Sequence, residues 1–228
     1  MTLTDAPAHV LVHDVVRFHG HECPGASLGT RIAQVAIGRL GRHAKGNELV
    51  AMCETDTCAV DAVQVLTGCT YGKRNLIHQD HGKNVFTFWR PADGVGVRVS
   101  ARPGSEAYRD EQTWELAERV EAGTADDAER TRYARMQAER SARILAADAD
   151  ELLVVEDVTG EPPAVKAVRP SEACAGCGDQ TSVALLHDHR GSMMCPPCHL
   201  AAHGGELPAD HGHHGHGHSH PRAHAHSH

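Results

Sequence analysis

The chain has 228 residues, 40% of them hydrophobic but only 4% aromatic, so it has length for one core of roughly 100 to 170 residues built from Val, Leu, Ile and Ala, plus a small accessory module. A formal net charge of -8, with 20 histidines counted as neutral, argues against nucleic acid as a partner. No run approaches the ~20 apolar residues that cross a bilayer, and Met1-Thr2-Leu3-Thr4-Asp5 lacks the basic and apolar regions of an export signal, so a cytoplasmic location without membrane association is expected. In that compartment eight cysteines read as metal ligands or reactive thiols rather than disulfides.

Apolar residues at Leu11, Val15 and Phe18 mark a helical stripe that stops at His19-Gly20. His19-Gly20-His21-Glu22-Cys23-Pro24-Gly25 is then a connection, and Leu28, Ile32, Val35 and Leu40 form the inner face of a second helix ending at Gly41. Residues 48–54 read as a strand entering Thr55-Asp56-Thr57, whose side chains can cap a helix with Cys58 in its first turn. Residues 85–90 and 95–99 are strands joined by Pro91-Ala92-Asp93-Gly94. Two charged helices fill residues 105–147 with a break at Gly123, where Thr124 and Asp127 resemble a helix start. Their sparse apolar residues, Trp114, Leu116, Tyr133, Met136 and Ile144, fit packing at an edge or between subunits. Residues 152–158 close the domain as a strand.

The fold class expected is α+β: a mixed helix and antiparallel-sheet domain over residues 1–160, a proline-marked linker at 161–170, a small zinc ribbon at 171–207 and a His-rich tail at 208–228 with nothing to bury, disordered without metal.

Cys174-Ala175-Gly176-Cys177 and Cys195-Pro196-Pro197-Cys198 can each supply two thiolates from one tight turn, the donor set that structural zinc prefers. A redox dithiol pair is the alternative, but nothing around it resembles a thioredoxin unit. His187, His189 and His199 are spare candidates and are read as bystanders, because four sulfurs already close a tetrahedral shell.

His19, His21 and Cys23 alternate within five residues, so an extended segment turns all three toward one side. A mixed imidazole and thiolate set suits Zn, Ni or Co as a second transition metal. The competing reading is a capping histidine beside an inert buried thiol. Cys53, Cys58 and Cys69 arrive from neighbouring elements, and Cys58 at a helix N-terminus is the expected thiolate, a ligand or a nucleophile. Asp56 and Asp61 are acceptors that could orient a ligand histidine, with a simple cap as the alternative for Asp56. Thr67-Gly68-Cys69-Thr70-Tyr71-Gly72-Lys73-Arg74 is one residue short of a phosphate loop and has Arg74 where Ser or Thr is required, leaving a turn in which Lys73 could hold a small anion. In the tail, nine histidines from His211 to His228 recur mostly at every second position, a reversible chelator of Ni²⁺, Zn²⁺ or Cu²⁺ or, alternatively, an expression tag.

With these residues in view the chain resembles the FmdE family, named for formylmethanofuran dehydrogenase. The resemblance rests on Phe18-His19-Gly20-His21-Glu22-Cys23-Pro24-Gly25, on Glu54-Thr55-Asp56-Thr57-Cys58-Ala59-Val60-Asp61-Ala62-Val63-Gln64, on Leu66-Thr67-Gly68-Cys69-Thr70-Tyr71-Gly72-Lys73, and on Asp80-His81-Gly82-Lys83 leading to Phe86-Thr87-Phe88. Arg74 stands where the family pattern has glycine. The terminal module resembles a zinc ribbon of the DksA/TraR type. The resemblance implies an α+β core, a homodimer, and a metal or active site near His19, His21, Cys23 and Cys58.

The leading expectation is therefore a cytoplasmic metal-handling protein that delivers metal to, or supports, a client metalloenzyme of the molybdenum or tungsten kind. One alternative is an enzyme in which Cys58 or a metal acts on a small anionic substrate held by Lys73. Another is a metal-sensing interaction module.

Overall fold

In a computed structural model, residues 8–41, 48–108, 110–164 and 169–203 are described, and the chain divides into two compact units, Met1–Lys166 and Ala167–His228. The architecture is α+β.

In the first unit, α1 (Ala8–His19) turns Leu11 and Val15 inward, four residues apart on one face. It stops at Gly20, whose φ of 95° few side chains tolerate and whose N–H reaches the Val16 carbonyl at 2.8 Å. After a short connection α2 (Pro24–Leu40) begins with Pro24 at its first position and buries Leu28, Ile32, Ala36 and Leu40 at helical spacing. Strand β1 (Val50–Cys53) leads to α3 (Ala59–Thr67), then to β2 (Leu76–His78), β3 (Val85–Arg90) and β4 (Val95–Ala101). Helices α4 (Glu111–Glu121), α5 (Asp127–Ala146) and α6 (Ala149–Leu152) precede β5 (Leu153–Thr159).

Among the described residues, five strands form one sheet in the order β2-β1-β3-β4-β5, with β1 and β2 parallel and the other pairs antiparallel. Register puts Cys53 and Ala51 beside Phe86 and Phe88, which in turn oppose Val99 and Val97. This period-two row meets Leu28, Ile32 and Ala36 of α2 and Ile144 of α5 in one buried cluster. Ile144 is fully buried and Arg140 donates to the carbonyls of Glu106 and Ala107, so α5 is a working wall of the core, whereas Trp114 on α4 stays half exposed.

Three local expectations are corrected. The second charged helix starts two residues later than Thr124: Asp126 accepts from the Glu129 N–H at 2.8 Å, and Glu129 returns a bond to the Asp126 N–H, a complete capping box. Short β2 is absent from the sequence expectation, because three residues at the mouth of a glycine-rich turn carry no readable period. Cys58 is the N-cap of α3 rather than a residue of its first turn, and neither Thr55 nor Thr57 caps the helix with a side chain; the Thr55 hydroxyl instead accepts from the Thr57 N–H at 3.3 Å.

The second unit contains two small hairpins, β6 (Ser171–Ala173) with β7 (Gln180–Ser182) and β8 (His187–His189) with β9 (Ser192–Met194), followed by α7 (Pro196–Ala202). Among its described residues the buried apolar side chains are Cys174, Leu186 and Cys195. A core that small gains little from burial, and the cysteines are the groups of this unit that could cross-link it through a metal.

Candidate metal centres

The first cluster is built where three helix ends meet. His19 is the last residue of α1, Cys23 is the N-cap of α2, and Cys58 is the N-cap of α3. Ligand atoms of His19, His21 and Cys23 all lie within 4.8 Å of one another. The two imidazoles stand with ring centroids 4.6 Å apart. Cys58 is outside that mutually close set but lies near enough to the Cys23 sulfur to influence its charge.

Two glycines make this meeting possible. A Cβ on Gly25 would come within 3.0 Å of the Cys58 Cβ, and one on Gly29 would sit 2.4 Å from the Ala59 carbonyl oxygen. Gly25 and Gly29 are one turn apart on α2, so they open a strip along which α3 approaches closely. The N-termini of both helices, with their unpaired N–H groups and partial positive charge, thereby converge on the two sulfurs.

Electrostatics then divides the roles. Cys23 is lowered to about 5, first by the hydrogen bond from Cys58 and then, against the cost of burial, by the Ala26 N–H that its sulfur accepts at 3.4 Å and by nearby His19. Cys58 is raised, because its S–H donates to the Cys23 thiolate and because it is partly buried. The expectation that Cys58 is the readier thiolate is thus reversed in the metal-free chain. Being at a helix N-terminus is not enough; Cys23 receives a cap bond and Cys58 makes none.

His19 is oriented from behind. Its Nδ1 lies 2.7 Å from Asp61 Oδ2, so Nδ1 carries the proton and donates, and Nε2 is left facing Cys23 Sγ at 3.6 Å. Burial works against the charged imidazole, but the Asp61 carboxylate and the Cys23 sulfur together outweigh it and His19 is raised above its ordinary value. A carboxylate behind a histidine whose other nitrogen is turned toward a second ligand atom is the usual support of a metal-bound imidazole. Of the two acids offered by the sequence, Asp61 takes this role and Asp56 is an exposed residue of the preceding loop. The donors fit a borderline divalent ion held by imidazole and thiolate.

Cys53 and Cys69 do not join the cluster. Both lie in the apolar core, where burial pushes each thiol up to about 11. Lys73 lies beyond the C-terminal end of α3, near Cys69, in a turn where Arg74 adopts the left-handed region with φ 64°. The nine residues of α3, about 14 Å of helix, lie between Cys58 and the start of that turn. A polar group missed by the residue-by-residue reading is Glu54: buried at the end of β1, it accepts from His81 Nδ1 at 2.9 Å, and its carbonyl accepts from the N–H groups of His81 and Lys83.

The second cluster joins Cys174, Cys177, Cys195 and Cys198, whose sulfurs lie within 4.8 Å of one another. All eight cysteines are free thiols. The Cys174 sulfur accepts from the Cys195 N–H at 3.2 Å and the Gly176 N–H at 3.3 Å, and backbone donors of this kind bring it down to about 6, the Cys195 N–H foremost. Cys198 is pushed up to about 12, first by its hydrogen bond to Cys195, as expected where several sulfurs compete for few protons. Gly176 lies against Cys198 so closely that a Cβ there would meet its sulfur at 2.9 Å.

A family model described as "FmdE, Molybdenum formylmethanofuran dehydrogenase operon" matches residues 18–154, which takes in His19, Cys23, Cys58 and Asp61. The chain belongs to the FmdE family. It is 32% identical over 180 residues, 75% of its length, to a probable S-adenosyl-L-methionine-binding protein of Archaeoglobus fulgidus, and it spans only 48% of that relative. The fold is similar to that of a crystallised FmdE-like protein of the tungsten formylmethanofuran dehydrogenase kind from Syntrophus aciditrophicus, at a TM-score of 0.57 and 22% identity, covering 88% of this chain and 96% of that one. Among the described residues, no helix of this FmdE protein is long and apolar enough to cross a membrane. The His-rich segment from His211 to His228 lies outside the described residues.

Proposed function

We propose that this FmdE protein is a cytoplasmic metal-handling protein that delivers a transition metal to, or supports, a molybdenum or tungsten metalloenzyme. The observation that carries the reading is the pairing of Cys23 Sγ, which accepts from the Ala26 N–H, with His19 Nε2, the ring being aimed by Asp61. In this reading His19, His21, Cys23 and Cys58 hold Zn, Ni or Co. Cys174, Cys177, Cys195 and Cys198 form a DksA/TraR-type ribbon around structural zinc, and the His-rich tail gathers metal. Exposed His21 leaves one side of the first cluster open, which suits an ion that must arrive and leave. The position of Lys73 beyond the far end of α3 favours handling over an enzyme that grips a small anion beside Cys58. Half-exposed Tyr108 and Trp114 are each a candidate for contact with the second copy of a homodimer or with the client.

The test is elemental analysis of the full chain with the nine tail histidines changed to alanine, purified without a chelating column. Cys23→Ser should remove one metal equivalent and leave the zinc of the four-cysteine cluster in place. A metal content untouched by Cys23→Ser would sink the assignment.

A further inference from the structure

Beyond the two thiol-containing clusters, the second unit carries a group of histidines with no cysteine in it. Strand period two puts His187 and His189 on one face of β8, and helical period puts His199 of α7 one turn from His203, the residue that caps its C-terminus. The strand face and the helix face meet: ring centroids are 5.0 Å apart for His187 and His199, 4.7 Å for His189 and His203, and 4.2 Å for His199 and His203. Ligand nitrogens of His189, His199 and His203 all lie within 4.8 Å of one another.

We propose that His189, His199 and His203 form a third transition-metal site, an open one, on the face of the C-terminal module. Metal–nitrogen bonds of about 2.0 to 2.1 Å put tetrahedral donors about 3.4 Å apart, so small side-chain rotations close the existing arrangement around an ion. One ring is already aimed: His203 Nδ1 donates to the His199 carbonyl at 2.8 Å, which leaves Nε2 as the free donor. The intervening Asp188 is engaged in the hairpin, accepting from the Gly191 N–H at 3.2 Å, so the donor set is imidazole alone. Three neutral imidazoles select a borderline divalent ion, Co²⁺, Ni²⁺, Cu²⁺ or Zn²⁺, over Mg²⁺ or Ca²⁺. His187 stands outside the mutually close set although its ring is 5.0 Å from that of His199, so the three rings leave a fourth position to water, His187 or an incoming ligand. A site with three protein ligands exchanges its ion more readily than a closed four-thiolate site does. Cys198 and His199 are adjacent in sequence, so an exchangeable ion would sit beside the structural one. The proposal does not depend on the N-terminal cluster being functional.

The experiment uses the full chain with the nine tail histidines changed to alanine and with Cys23→Ser, loaded with zinc at the four-cysteine cluster and titrated with Co²⁺. One equivalent of Co²⁺ should bind with visible ligand-field bands and no thiolate-to-metal charge transfer, and that equivalent should vanish in His189→Ala and in His199→Ala/His203→Ala. Retention of one zinc per chain in those variants establishes that the module is still folded. Absence of Co²⁺ uptake, or uptake that survives both sets of histidine changes, would overturn the proposal.

Discussion

Gly29 on α2 lies against Ala59 on α3 so tightly that a single added carbon would be 2.4 Å from the Ala59 carbonyl oxygen. This contact is buried backbone against backbone and cannot be relieved by turning a side chain. Gly29→Ala should therefore destabilise the first unit by about 1–3 kcal/mol, the usual cost of overpacking, read as a lower urea midpoint at unchanged slope. Gly25→Ala meets the Cys58 Cβ at 3.0 Å, a smaller conflict placed at the site itself. It should weaken N-terminal metal binding with less loss of stability. Equal urea midpoints for Gly29→Ala and the parent would show that α2 and α3 can separate freely.

Asp61→Asn tests the support behind His19. It keeps the shape but replaces the carboxylate that holds Nδ1 at 2.7 Å. Affinity of the N-terminal site should fall about 10- to 100-fold in chelator competition, with any metal at the four-cysteine cluster unaffected.

The same pair has a pH signature in metal-free protein. His19 is raised above 6.5, so its contribution to stability is complete below 6.5 and is lost as pH rises through its higher folded value. The melting temperature of the parent relative to Asp61→Asn should thus be greater at pH 6 than at pH 8.5. A difference independent of pH would assign the contact a neutral, purely geometric role.

Thiol reactivity should follow the proton hierarchy. In metal-free protein at pH 6.5, iodoacetamide should label Cys23 well before Cys58, since the Ala26 N–H and nearby His19 favour the Cys23 thiolate, lowered to about 5 with Cys58 beside it, and Cys58 is raised. Cys53 and Cys69, each at about 11 and buried, should react only on unfolding. Cys58→Ala removes the largest cause of the Cys23 shift and should slow Cys23 labelling at that pH. Peptide mapping that found Cys58 modified first would reverse the assignment.

Metal removal should distinguish the two units if the four-cysteine cluster holds an ion as proposed. A strong chelator should unfold the second unit, whose described core is three buried side chains, while the far-ultraviolet helix signal of α2 and α5 persists. Gly176→Ala, with its Cβ 2.9 Å from the Cys198 sulfur, should accelerate zinc release to a metallochromic indicator.

Much of this molecule is legible in its sequence because the signals are local. Leu28, Ile32 and Leu40 announce the inner face of α2, and Gly41 with φ 82° ends it. Residues 85–101 show their hairpin through alternation and Pro-Ala-Asp-Gly, and two Cys-x-x-Cys pairs declare a four-sulfur cluster. The His199–His203 spacing is equally readable as one helical face, but only once α7 is known to start at Pro196.

What tertiary structure alone decided are contacts between residues that no local rule connects. Asp61 reaches His19 across 42 positions, and Cys23 takes its proton relationship with Cys58 from two helices that meet because Gly25 and Gly29 lack side chains. Lys73 is close to Cys58 in sequence yet lies beyond the far end of α3, and Glu54 is tied to His81 only when the loop after β2 folds back on the end of β1. Periods, caps and turns are properties of a few consecutive residues, whereas a pKa or a ligand's orientation depends on which charges and dipoles packing brings within a few ångströms.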